Sequence, residues 1–138
     1  MTKRAFIIHG WDGYPEEGWF PWLKTELEKN GFQVHVPAMP ESAEPKIEAW
    51  VSHLSKIVGD VDKNTYFVGH SIGCQTILRY LETLPADKKV GGATFVAGWF
   101  TLMNLAGKRV RYSSWGKRVR YSSWVSMVNV WSTQAQIF

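Results

Sequence analysis

The sequence predicts an α/β fold, a three-layer sandwich in which a parallel sheet carries helices on both of its faces. Within residues 1–106, short apolar runs typical of strands buried on both faces alternate with longer segments whose apolar residues recur at helical spacing. The segments that join successive apolar runs are long enough to be the crossover connections that parallel strands require. This alternation predicts the order β-α-β-α-β-α-β.

The first part of the pattern is a strand, a helix and a second strand. Residues 5–8 form a continuous apolar run, and residues 32–36 form the second predicted strand. The helix between them starts near Pro21, where the missing N–H costs nothing, and stops at residues 30–31, Asn-Gly. We expect both tryptophans of its apolar stripe to face the core. The stripe consists of Trp19, Trp22, Leu23 and Leu27.

The second part adds two helices and two strands. The clearest helical pattern in the chain opens after Pro45 and closes at Gly59. Residues 65–68 form the third predicted strand and residues 90–97 the fourth, with a further helix between them. The apolar stripes of the two helices are Ile47, Trp50, Val51, Leu54, Ile57 and Val58 in one and Cys74, Ile77, Leu78 and Leu81 in the other.

Charge divides the chain into two predicted regions. Residues 1–106 hold ten basic and all twelve acidic residues, a net charge of −2, whereas residues 107–138 hold six basic residues and no acid, a net charge of +6. The second region also contains two identical segments, 107–115 and 116–124, which are too short and too few for a repeat array. We therefore predict an α/β domain over residues 1–106 and a basic, repeat-containing tail over residues 107–138.

Three interpretations of the tail stay open. It is a segment foreign to the domain, produced by a frameshift, a mis-assembly or an in-frame duplication, in which case the parallel sheet is truncated after about four strands. It is a divergent segment that supplies strands from its β-prone run 125–131. Or it is a binding arm whose arginines alternate with aromatic residues. A nucleic acid partner is not favoured, because a few charges in a short segment are usually solvated.

Composition also excludes some classes of protein. The longest apolar runs are far shorter than a transmembrane helix, and the apolar stretch near the N-terminus is too brief for a signal peptide. The single cysteine, Cys74, rules out an internal disulfide and is compatible with a reducing compartment. We expect a cytoplasmic protein with no membrane span.

One motif predicts a chemically reactive residue. Gly69-His70-Ser71-Ile72-Gly73 matches G-x-S-x-G between the third predicted strand and the helix that follows it. A serine at such a turn must adopt a strained backbone, and flanking glycines let strand and helix approach closely. The hydroxyl then projects from the sheet edge, and the N–H of Ile72 lies at a helix N-terminus, where it can stabilise an oxyanion. The alternative is a glycine-rich strand-to-helix turn with no chemical role.

Several segments besides this motif match a known family. They are Phe6-Ile7-Ile8-His9-Gly10, Trp19-Phe20-Pro21-Trp22-Leu23, Met39-Pro40, Trp50, Cys74, Ile77-Leu78-Arg79-Tyr80-Leu81-Glu82 and residues 92–98. With the motif, they make residues 1 to about 105 resemble the α/β-hydrolase superfamily and, within it, the small serine hydrolases. The resemblance implies that Ser71 is the nucleophile and that the oxyanion hole combines the Ile72 N–H with an N–H of the loop at Gly10 and Trp11. It also implies acyl transfer to water from a small-molecule ester, thioester or amide.

The resemblance fails downstream of Ser71. In the superfamily an acid and then a histidine follow the nucleophile along the chain, but here only Glu82 and Asp87 follow, and no histidine does. A serine hydroxyl is a poor nucleophile without an adjacent base, so we expect impaired activity. The alternative function is that of a non-catalytic binding or scaffold protein on a hydrolase fold, with the tail as a contact for a protein partner.

The remaining candidates are the four histidines, Trp11 and Cys74. His9, at the end of the first strand, is either a surrogate base or, as we favour, a residue that shapes the loop. Trp11 either lines an apolar acyl or alkyl pocket or has no such role, and we expect Cys74 to pack rather than react. No metal-ligand spacing and no phosphate-binding glycine loop appears, so we expect no metal and no cofactor. For the other histidines we favour structural or solvated positions: His35, His53 and His70.

Overall fold

The computed structural model describes residues 2–98, and within them strands and helices alternate as predicted. In chain order the elements are β1 (Lys3–Ile8), α1 (Phe20–Lys29), β2 (Phe32–His35), α2 (Ile47–Val58), β3 (Thr65–His70), α3 (Ile72–Glu82) and β4 (Gly92–Val96). The predicted α/β class is therefore confirmed. The predicted tail, residues 107–138, lies outside the described residues.

The strands form one parallel sheet whose spatial order is β2-β1-β3-β4. The chain places β2 on one side of β1 and then returns to place β3 and β4 on the other side. The strand order thus reverses between β1 and β3, and the last pair of residues between these two strands is Ile8 opposite Gly69. In open parallel sheets ligands bind at the carboxyl ends of the strands at such a switch point.

The unbroken apolar run of β1 arises because both faces of the sheet are covered. Phe6 and Ile8 belong to a core cluster with α2 and α3, whereas Ala5 and Ile7 pack in a second cluster with residues of α1. Alternate residues of a strand point to opposite faces. Helices therefore lie on both faces of the sheet, as predicted.

Helix α1 buries a different stripe from the one that the sequence predicted. The helix begins at Phe20, which is buried, and Leu23 and Leu27 pack against the same cluster. Trp19 precedes the helix and also packs there, as expected. The prediction for Trp22 is wrong, since its side chain is 64% exposed. At 100° per residue Trp22 lies about 200° around the helix from Phe20, and the sheet contacts the Phe20 side.

The observed ends of the helices and strands agree with the predicted ends to within two residues. Helix α1 stops before Asn30 and Gly31, and α2 spans Ile47–Val58 with Gly59 at its C-terminus. Gly31 and Gly59 have φ values of 83° and 62°, in the left-handed region that glycine adopts without strain. No helix within residues 2–98 is long and apolar enough to cross a membrane.

Candidate active site

Ser71 occupies a single-residue turn between β3, which ends at His70, and α3, which starts at Ile72. Its φ and ψ are 54° and −119°, values that a residue with a side chain rarely adopts. The Ser71 N–H donates to the Val96 carbonyl oxygen at 2.9 Å, which ties the turn to the end of β4. The strained backbone that the motif predicts is therefore present at the carboxyl edge of the sheet.

The glycines that flank Ser71 allow α3 to lie directly against the strands. A Cβ atom on Gly69 would lie 2.8 Å from the backbone N and Cα of Cys74. A Cβ atom on Gly73 would lie 2.6 Å from the carbonyl oxygen of His9 and closer still to that of Ile8. Real Cβ atoms do not approach backbone this closely, so both positions require glycine for the observed packing.

The loop after β1 lies against Ser71. A Cβ atom on Gly10 would lie 3.2 Å from the Ser71 Cβ and 3.3 Å from His70 Nδ1. The loop begins with a turn in which the Gly13 N–H donates to the Gly10 carbonyl oxygen at 3.1 Å, with Asp12 at a φ of 55°. The structure thus brings the loop at Gly10 next to Ser71, the residue before Ile72. That the Ile72 N–H and the Gly10-Trp11 loop form an oxyanion hole stays a prediction.

A segment that sequence reasoning did not single out holds this loop in place. The Asp12 N–H donates to the Ser42 carbonyl oxygen at 2.7 Å, and the Trp11 Nε1–H donates to the Ala43 carbonyl oxygen at 2.8 Å. The second bond holds the Trp11 side chain, while 53% of the surface of Trp11 stays exposed. That Trp11 lines an apolar pocket stays a prediction. In the sequence, the apolar residue Met39 is the indication that the connection between β2 and α2 packs against the domain. The structure shows that Met39 is buried.

His9 is 1% exposed, and both of its ring nitrogens have backbone partners. The Met39 N–H donates to His9 Nε2 at 2.9 Å, and His9 Nδ1 lies 2.8 Å from the Gly10 carbonyl oxygen. Burial lowers the pKa of His9, and the bond to Gly10 and the negative charge of Glu17 only partly oppose this shift. These contacts agree with the loop-shaping interpretation and leave neither nitrogen for the Ser71 hydroxyl.

The rings of two other histidines pack against aromatic side chains. The His70 ring packs edge-on against Trp19 and Phe20, with ring centroids 5.9 Å apart in each pair. The His35 ring stacks on Phe6 at 4.9 Å, and His53 is half-buried on α2. Within residues 2–98, no histidine nitrogen forms a hydrogen bond with Ser71.

The remaining titratable candidates offer no substitute partner for Ser71 in the described part of the chain. Glu82 is the last residue of α3, about 15 Å along the helix from its first residue, and Asp87 lies in a turn beyond it. Cys74 is buried in the core, and burial raises the pKa of its thiol to about 12. Residues 2–98 contain no group of three His, Cys, Asp or Glu side chains that could hold a metal ion.

Comparison with models of protein families identifies the family to which the chain belongs. A family model described as serine hydrolase matches residues 5–114, which include the β1 loop and the Ser71 turn. The chain belongs to the serine hydrolase family. The predicted resemblance is confirmed by this match.

Two curated proteins are similar in sequence to this serine hydrolase. Putative hydrolase YdeN of Bacillus subtilis is 42% identical over 99 residues, which make up 72% of this chain and 52% of YdeN. Serine hydrolase RBBP9 of Rattus norvegicus is 30% identical over 83 residues, 58% of this chain and 44% of RBBP9. The chain thus spans about half the length of the curated relatives that it matches.

Solved structures agree on the fold of this serine hydrolase. The crystal structure of the ydeN gene product from B. subtilis superposes with a TM-score of 0.70 at 39% identity, covering 74% of this chain and 55% of that one. A monoacylglycerol lipase of Paleococcus ferrophilus superposes with a TM-score of 0.59 at 23% identity, covering 72% and 40%. The second likeness shows the fold alone.

Proposed function

We propose that this serine hydrolase cleaves a small-molecule ester, thioester or amide in a carboxylesterase-like reaction with Ser71 as its nucleophile. The observation that carries the proposal is the strained φ of 54° at Ser71, held at the switch point of the sheet beside Gly10. Backbone strain persists only where the surrounding structure enforces it, and it is concentrated at functional sites. Membership of the serine hydrolase family supports the same chemistry.

The reaction has two steps. The Ser71 hydroxyl oxygen attacks the acyl carbon, the bond from that carbon to the leaving oxygen, sulfur or nitrogen breaks, and the hydroxyl proton ends on the leaving group. Water then attacks the acyl-serine, which releases a carboxylic acid and restores the Ser71 hydroxyl. Each step passes through a tetrahedral species whose oxygen carries negative charge.

In our proposal two backbone segments stabilise that charge. Ile72 is the first residue of α3, and the first N–H groups of a helix have no partner within the helix. The helix dipole adds a partial positive charge at the same end. The second donor in our proposal comes from the Gly10-Trp11 segment, which lies against Ser71.

Within residues 2–98 no histidine nitrogen is bonded to Ser71, so we infer that acylation of Ser71 by these residues alone is slow. The histidines of this part of the chain are His9, His35, His53 and His70. In triad enzymes the oxyanion hole and substrate binding alone still accelerate the reaction by about 10³–10⁴-fold over water. We propose that this contribution, rather than general base catalysis, dominates the reactivity that residues 2–98 by themselves give to Ser71.

Hydrolysis of p-nitrophenyl acetate with added imidazole tests this proposal. Imidazole supplies a soluble base, so the full chain should release p-nitrophenolate faster in its presence than the Ser71→Ala variant under the same conditions, which also corrects for hydrolysis by imidazole itself. Acetyl-serine should be detectable by mass spectrometry in the wild type only. Equal rates in the wild type and the variant at all imidazole concentrations contradict the proposal.

Both ring nitrogens of His9 have backbone partners, so His9 does not act as a base for Ser71. This favours a second candidate function, that of a non-catalytic binding protein on the hydrolase fold. On this hypothesis the Ser71 turn binds a carbonyl ligand without covalent reaction. The two candidates differ in the imidazole experiment, because a binding protein forms no acetyl-serine.

A further inference from the structure

The connection between β2 and α2, residues 36–46, is held to the domain by a small number of contacts. Met39 is its buried residue, and its other residues are half-buried or exposed. The carbonyl oxygens of Ser42 and Ala43 accept hydrogen bonds from the loop after β1. A segment with few buried apolar contacts opens at a low cost in free energy, so each bond that holds this connection matters.

The bond between Met39 and His9 depends on the protonation state of the His9 ring. A backbone N–H can only donate, so the Met39 N–H at 2.9 Å requires that His9 Nε2 carry no proton. In the neutral ring the proton is then on Nδ1, which lies 2.8 Å from the Gly10 carbonyl oxygen. A proton added at Nε2 places two N–H groups against each other, and the bond to Met39 is lost.

The contacts of His9 with the helices bring no charged side chain to it. Helix α2 contributes the ring of Trp50, packed edge-on with centroids 5.4 Å apart. Helix α3 contributes the backbone at Gly73, where a Cβ atom would lie 2.6 Å from the His9 carbonyl oxygen. From β3 the titratable group is the ring of His70, whose Nδ1 lies 3.3 Å from the position that a Cβ atom on Gly10 would take.

The loop after β1 brings a carboxylate to His9. Glu17 Oε2 and His9 Nδ1 both lie within 3.0 Å of the position that a Cβ atom on Gly13 would take, so the two side chains are neighbours. Glu17 Oε2 is buried and accepts no hydrogen bond from the described residues. Asp12 and Glu16 of the same loop are exposed. A positive charge on His9 would therefore have Glu17 as its nearby negative partner.

We propose that His9 and Glu17 form a pH-sensitive latch that holds the β2–α2 connection when His9 is neutral and releases it when His9 is protonated. Release breaks the bond to Met39 and weakens the two carbonyl contacts by which the connection holds the loop after β1. The Glu17 carboxylate stabilises the protonated ring. The latch is a property of the fold and does not depend on the reactivity of Ser71.

Release is favoured at low pH. Burial lowers the pKa of His9 from 6.5 in the latched arrangement, where the bond to Gly10 and the charge of Glu17 only partly oppose this shift. When the connection opens, the ring meets water and its pKa returns toward the ordinary value. The population of the released arrangement therefore increases by up to about tenfold for each pH unit below about 6.5.

Hydrogen exchange of the full chain, followed by NMR, tests the latch. Exchange rates are compared with those of an unstructured peptide at the same pH, which gives a protection factor for each amide. The amides of Met39 and Asp12 should lose about tenfold in protection between pH 7.5 and pH 5.5, and the amides of β1 and β3 should lose less. Unchanged protection of Met39, or an equal loss in the strands, overturns the latch.

Two substitutions separate the latch from general effects of pH. The amide oxygen of glutamine can accept from the Met39 N–H but does not titrate, so His9→Gln should keep the protection of Met39 constant over this interval. His35→Gln is the matched control, because burial also lowers the pKa of His35 but its ring stacks on Phe6. This control should show the wild-type loss. A loss retained in His9→Gln or abolished in His35→Gln overturns the latch.

The role of Glu17 has its own variant. Glu17→Gln removes the negative charge beside His9, so the loss of protection at Met39 should begin at a lower pH than in the wild type. An unchanged or higher pH of onset overturns the part assigned to Glu17.

A measurement on the wild type alone keeps the latch testable if a variant does not fold. A long-range ¹H–¹⁵N spectrum of the histidine rings at pH 7.5 should show His9 with a proton on Nδ1 and none on Nε2. A proton on Nε2 at that pH overturns the latch, because the bond to Met39 could then not form.

Discussion

Ser71 and Cys74 lie three residues apart, and their surroundings suit them to different tasks. Ser71 is half-buried in a strained turn at the sheet edge. Cys74 is buried one turn into α3, and its Sγ lies 3.5 Å from the Val96 carbonyl oxygen. Burial raises the pKa of the Cys74 thiol to about 12, so the reactive thiolate is scarce at neutral pH.

The thiol of Cys74 should therefore be inert in the native protein. At pH 8 a thiol with a pKa of about 12 is ionised in only about one molecule in ten thousand. We expect the native chain not to react with 5,5′-dithiobis(2-nitrobenzoate) on the time scale of minutes and the urea-unfolded chain to react with one equivalent. Because the chain has a single cysteine, the colour reports on this residue alone. Rapid reaction of the native chain contradicts the buried position.

The junction between α3 and the strands depends on the absence of a side chain at Gly73. Alanine is favoured over glycine in a helix by about 1 kcal/mol, so propensity alone predicts that Gly73→Ala stabilises α3. Against this, the new Cβ would lie 2.6 Å from the His9 carbonyl oxygen and nearer still to that of Ile8. Both oxygens belong to the backbone, one at the last residue of β1 and one at the residue after it, and neither can rotate away. Steric repulsion therefore outweighs the gain in helix propensity.

Gly73→Ala should lower the free energy of unfolding by more than about 2 kcal/mol. The matched control is Gly92→Ala in β4, where the new Cβ would meet only ring atoms of Tyr66 at 3.6 and 3.8 Å, ordinary contact distances. We expect the control to be neutral or to stabilise by about 0.5 kcal/mol. Urea unfolding followed by tryptophan fluorescence measures both. Equal effects of the two substitutions contradict the packing described for α3.

Local periodicity predicts the elements of residues 2–98 because each helix and strand is encoded within its own segment. It does not predict which side of α1 meets the sheet when apolar residues occur on more than one side, and Trp22 shows this. The G-x-S-x-G spacing predicts the strained turn at Ser71, since that geometry is also local. The bonds of His9 depend on Met39, thirty residues away, and no short-range pattern indicates them.

For the molecule as a whole, two histidines make stability depend on pH. Burial lowers the native pKa of His9, and burial together with the charges of Arg4 and Lys24 lowers that of His35. The unfolded chain therefore takes up protons first as the pH falls through about 6.5, the ordinary histidine pKa. The stability present above that pH is lost progressively as the pH decreases toward the native pKa values.

The free energy of unfolding should accordingly be lower at pH 5 than at pH 7.5, as measured by urea titration at each pH. His9→Asn removes one of the two groups, so the variant should lose less stability over this interval than the wild type does. His35→Asn should reduce the loss in the same direction. A stability that stays constant or increases as the pH falls contradicts the neutral, buried state of His9.

The central proposal is that Ser71 is the nucleophile of this serine hydrolase, and the site of covalent modification tests it most directly. A fluorophosphonate transfers its phosphonyl group to a serine hydroxyl with loss of fluoride, and imidazole is added as the base that takes up the hydroxyl proton. Trypsin releases residues 64–79 as one peptide, in which Ser71 is the only serine. Peptide mass spectrometry of the labelled native chain should place the adduct on Ser71, with none in Ser71→Ala or in the urea-unfolded wild type. An adduct on another residue, or none in the folded wild type, contradicts the proposal.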